Sequence, residues 1–113
     1  RLRMPYDGEI LGNAATPKAT GWINDAGTGA GTYTQIQVRN VTQGRDYFTT
    51  RPKFNVDDKD ANGHALLGTG AVLSTIPTFR AGDILALDVD VVPGGANSSR
   101  LVLWLTCGFW LEV

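Results

Sequence analysis

The run Thr78-Phe79-Arg80-Ala81-Gly82-Asp83-Ile84-Leu85-Ala86-Leu87-Asp88-Val89-Asp90-Val91-Val92 turns once and then extends. Ala81-Gly82-Asp83 is a turn signal. From Ile84 onward the chain has a period of two, with Leu85, Leu87, Val89 and Val91 on one face and Ala86, Asp88 and Asp90 on the other. A strand with one apolar and one acidic face belongs to a sheet covered on one side, which points to antiparallel pairing. The loop residues Pro93-Gly94-Gly95-Ala96-Asn97-Ser98-Ser99 come next, then a more apolar strand from Arg100 to Thr106. The two strands are expected to pair with each other, and the remaining chain to pack on them.

Away from this run, the other segments are short and extended. Glu9 to Ala14 and Thr20 to Ile23 are strand candidates separated by Pro17, which has no N–H to give to a ladder. Thr32 to Val41 is a long strand, its Thr34, Ile36 and Val38 alternating with Gln35, Gln37 and Arg39. Thr42-Gln43-Gly44 turns the chain, and Arg45 to Thr50 returns as a hairpin partner ended by Pro52. Phe54 to Val56 reads as an edge segment, Asp57 to Gly63 as a polar loop, and Val72 to Ile76 as a further strand. His64 to Gly68 fits a strand or one helical turn, and no helix of normal length with caps stands out.

Composition agrees with this pattern. The 113 residues suffice for one domain, and the 14 glycines cluster between strand-like runs. The expected fold is all-β: an antiparallel β-sandwich of about eight short strands, jelly-roll-like, spanning residues 9–113 behind an extended N-terminal arm at residues 1–8. A net charge of −1 gives no reason to expect nucleic acid or an anionic membrane as partner, and no run approaches the roughly 20 apolar residues of a membrane span. The single cysteine, Cys107, excludes an intrachain disulfide and reads as a buried thiol.

Chemistry-bearing motifs are few. Asp58-Lys59-Asp60-Ala61-Asn62-Gly63 matches the first half of a calcium loop, in which oxygens at alternate positions converge on a hard cation. The twelfth position, normally a bidentate glutamate, is Thr69. A solvated acidic turn is the preferred reading, with calcium on Asp58, Asp60 and Asn62 the alternative and no other cofactor expected. Asp88 and Asp90 lack any companion suggesting a catalytic carboxylate pair. His64 is the one histidine, and no serine has a nucleophile-elbow context. An enzyme is not expected.

The C-terminal end carries the strongest signal for a partner. Leu101, Leu103, Leu105, Cys107, Phe109, Leu111 and Val113 form one apolar face, and Val102, Trp104 and Trp110 stand on the other. A strand apolar on both sides needs cover on both. A small sandwich has one interior, so Val102, Trp104 and Trp110, with Tyr6 from the arm, are expected at a subunit interface. Trp22, Tyr33 and Tyr47 are alternative platforms on which a sugar ring could stack.

Taken together, these features resemble the small jelly-roll module of tailed-bacteriophage virion proteins, of the head-decoration and tail-fibre type. The resemblance rests on Asp7-Gly8-Glu9-Ile10-Leu11-Gly12, on Thr32 to Val41 with the return Thr42-Gln43-Gly44-Arg45-Asp46-Tyr47-Phe48, and above all on Phe79 to Val92. The Asp57 to Gly63 loop and the Phe109-Trp110 end depart from it. It implies a non-enzymatic component of the virion surface, often a homotrimer, that clamps the major capsid protein or another virion protein. The alternative it implies is a carbohydrate- or receptor-binding module of a tail fibre or spike.

Overall fold

A computed structural model describes residues 1–11, 19–25, 27–95 and 100–111. Its elements, in chain order, are β1 (Leu2–Arg3), β2 (Gly8–Ile10), β3 (Ala19–Ile23), β4 (Tyr33–Asn40), β5 (Arg45–Asp46), β6 (Phe48–Thr50), β7 (Lys53–Lys59), β8 (Ala65–Leu67), β9 (Val72–Leu73), β10 (Thr78–Phe79), β11 (Ile84–Val91), β12 (Leu101–Leu105) and β13 (Cys107–Phe109). No helix occurs among the described residues, and the fold is an all-β, antiparallel, sandwich-like one. The large sheet runs β1-β11-β4-β7-β8-β3-β12, with β5 hung on β4. Two small sheets, β10-β2-β13 and β6-β9, complete the molecule.

The core follows the alternation of β4. Thr34, Ile36, Val38 and Asn40 are buried and point to one side of the large sheet. Ile36 packs with Ile23, Phe54, Val56 and Ala65. Val38 packs with Met4, Ile10, Tyr47, Phe48, Leu73, Phe79 and Leu85, so the small sheets cover that end of the large one. Leu101, Leu103 and Leu105 reach the same interior from β12, as their spacing requires.

The turn at Ala81-Gly82-Asp83 forms as expected. Asp83 N–H donates to the Arg80 carbonyl (3.0 Å), and Gly82 adopts φ 87°, a conformation open to glycine at little cost. This turn is tied to the N-terminal segment: Gly82 N–H donates to the Met4 carbonyl (2.7 Å) and Met4 N–H to the Asp83 carbonyl (2.8 Å). Within residues 1–8, Leu2–Arg3 pair with β11, Met4 is buried and the chain bends at residues 5–7.

Four expectations about pairing are corrected. β11 and β12 do not pair: β11 lies between β1 and β4, while β12 lies beyond β3 at the far end of the sheet. Second, Lys53–Lys59 is an interior strand between β4 and β8, because Phe54 and Val56 supply core side chains. Third, the hairpin return splits. Arg45–Asp46 pair with β4, whereas Phe48 and Thr50 pair with β9. Fourth, the period of two in β11 breaks at Asp90. Val89 is opposite Ile36 but Val91 is opposite Gln35, so a bulge moves Val91 to the other face.

Candidate functional site

The first group of candidate residues sits on β7, β8 and their turn. Asp58 lies in β7, so the acidic loop is shorter than expected. One Asp60 carboxylate oxygen accepts the N–H groups of Asn62 (2.9 Å) and His64 (3.0 Å), and the Asp60 carbonyl accepts that of Gly63 (3.1 Å). Aspartate is here the stop of a tight turn, with one carboxylate oxygen aimed at its own backbone and the other 3.7 Å from His64 Nδ1. No group of three His, Cys, Asp or Glu side chains converges among the described residues. His64 stacks on Trp22 with ring centroids 4.3 Å apart at 16°.

That stack covers part of the Trp22 ring, and Lys53 Nζ lies 4.2 Å from the centroid of Tyr33. Tyr47 is corrected outright as a sugar platform, because it is fully buried. Its hydroxyl donates to the Thr78 carbonyl (2.7 Å) and accepts from Asn40 Nδ2 (2.9 Å). Burial pushes the Tyr47 hydroxyl above its usual pKa, with the Asn40 hydrogen bond pulling the other way. Burial likewise raises the Cys107 thiol, which packs against the core and is therefore a poor nucleophile.

The expected interface residues separate. Trp104 is on β12 in the large sheet, exposed at 54%, with Val102 on the same outward face. Trp110 follows β13, in the small sheet, and its N–H donates to the Asp7 carbonyl (2.8 Å). Tyr6 meets Phe109 edge-on at 5.7 Å. Trp110 walls a polar cleft of about 480 Å³ with Asp7, Gln43, Arg45 and Arg80. Arg45 is spent there on structure, donating to the carbonyls of Ile76 and Thr78 (both 2.6 Å). Arg80 makes no direct side-chain hydrogen bond or ion pair among the described residues, though its charge acts on Asp83 at longer range.

A surface that sequence reasoning missed lies where the large sheet fails to close. A groove of about 360 Å³ separates its two ends, with Leu2, Leu85 and Leu87 on one bank and Leu101, Leu103 and Leu105 on the other. Leu87 pairs with Val38 and Val89 with Ile36, so both belong to the core face of the sheet. Yet Leu87 is 43% and Val89 52% exposed, while their partners are buried. β1 pairs with β11 only as far as Leu85.

Chemically, this molecule offers apolar surface and unpaired strand edges. No helix is long and apolar enough to cross a membrane among the described residues. No protein-family model, curated protein or solved structure matches the chain.

Proposed function

We propose that this chain is a non-enzymatic structural protein of a bacteriophage particle, a capsid decoration protein that stabilises the shell through subunit contacts. One observation carries the reading: eleven large apolar side chains of the described residues remain 40% or more exposed. They include Leu87, Val89, Val91 and Val92 in succession along β11 and just past its end, and Trp104 on β12. A chain this small gains little by keeping so much apolar surface in water unless another chain covers it. Decoration would work by mass action, since contacts made only in the assembled particle stabilise only that state. The homotrimer, the capsid partner and the particle-surface location come from the resemblance. Trp104→Ala is expected to weaken self-association by about 2 kcal/mol or more, the scale of an interfacial tryptophan, and to leave the circular dichroism spectrum unchanged. Loss of the fold instead would assign Trp104 to the protomer's own stability.

A second reading, a carbohydrate-binding module, is favoured by the Trp110 cleft. An exposed indole beside Asp7 and Arg80 joins an apolar stacking face to planar groups that can grip vicinal hydroxyls. A glycan array probed with wild type and with Trp110→Ala separates the two. Signal lost in the variant supports this reading, and no signal from wild type removes it.

A further inference from the structure

We infer that the free edge of β11 is a docking site for an extended strand of another chain, one whose apolar residues alternate with lysine or arginine. This deepens the subunit-contact reading and rests on it, by naming the chemistry of one partner segment.

The geometry begins with β1. Leu2 is paired with Leu85 and Arg3 with Ile84, antiparallel to β11. Beyond Leu85 no described residue pairs with that edge, although β11 continues to Val91. In this ladder Leu87 and Val89 turn their backbone groups away from β4, where no described residue meets them, and an open edge is a template for another strand. β12 pairs with β3 on one side and with no described strand on the other. An added strand would enter between these two edges. Its inward side chains would meet the groove lined by Leu87, Leu101, Leu103 and Leu105.

Charge selects the occupant. On the outer face β11 shows Asp88, which has no ion-pair or hydrogen-bond partner among the described residues. Its neighbour Asp90 is partly neutralised by Arg51 at 3.4 Å. Two β11 strands pairing edge to edge would bring these acids together, and like charges across an antiparallel pair are destabilising. A second copy using the same edge is thereby disfavoured. A basic residue opposite Asp88 is favoured instead, with Trp104 presenting an aromatic ring on the outer face of β12. The chain already sets an apolar residue beside a basic one on this edge: Leu2, opposite Leu85, lines the groove, and Arg3, opposite Ile84, does not.

The test uses the whole chain and a short synthetic peptide alternating valine with lysine, capped at both ends, with a valine–glutamate peptide as control. Saturable binding of the basic peptide, slowed amide exchange at Leu87 and Val89 and little binding of the acidic control are expected. Asp88→Lys, a surface change that leaves the fold intact, should weaken the basic peptide about tenfold and strengthen the acidic one. The inference is overturned if the basic peptide does not bind, if protection appears only on β12, or if Asp88→Lys changes neither affinity. Solution mass measured alongside keeps the two readings apart. A chain that self-associates but ignores the peptide loses the strand site alone, whereas a strict monomer that binds it keeps the strand site and loses the self-contact.

Discussion

At Asp83 a carboxylate is held in the interior by donors from separate segments. One oxygen accepts Asn40 Nδ2 (2.8 Å), Gln43 Nε2 (2.6 Å) and the Arg80 N–H (2.9 Å). Burial alone would raise its pKa, but these hydrogen bonds and the Arg80 charge outweigh burial and leave it below the ordinary aspartate value. A carboxyl depressed in the folded state adds stability above its unfolded pKa of about 3.9, and that contribution fades as pH falls through the lower folded value. Asp83→Asn is therefore expected to cost about 2–3 kcal/mol at pH 7 by urea denaturation, with the gap to wild type narrowing toward pH 2. A gap independent of pH would show that shape, not charge, matters at this position. The turn around Asp83 was legible from Ala81-Gly82-Asp83, but its partners were not, since Asn40 is 43 residues away. Tyr47 misled for the same reason: it is buried by Met4, Ile10, Leu73 and Phe79, which lie far from it in sequence.

Among the elements, alternation identified strands well and neighbours poorly. The inward set of β4 followed from its period of two. The same rule on β11 gave Leu85, Leu87 and Val89 a common face, and that face is real. Periodicity carries no information on which strand lies alongside, so β11 and β12 were paired in error, and the bulge at Asp90 has no signal in composition. The groove between the sheet ends is a consequence of that non-local order and could not be read beforehand. Close approach of strands is testable directly. Gly21 in β3 is opposite Leu103, and a Cβ there would collide with the Val102 carbonyl oxygen. Gly21→Ala is expected to destabilise the fold by about 2 kcal/mol or more, because backbone cannot yield as a side-chain tip can. Thermal unfolding that matches wild type would mean that β12 is more loosely held than its ladder implies.

For the whole molecule, the governing fact is a sheet that curls without closing. The chain extends 49 × 23 × 23 Å, long in one direction for its size. Apolar residues meant for a core face, Leu87 and Val89, lie in the open along that body. Trp104 adds a large ring on the outer face of β12. Surface of this kind is stable in water when a neighbour takes it up. The deciding measurement is the solution mass of the purified chain by light scattering across a wide concentration range. Shared apolar surface predicts a reversible multiple of the 12.1 kDa protomer, a trimer at high concentration, that dissociates on dilution. A single 12.1 kDa species at every concentration would contradict self-association through this surface.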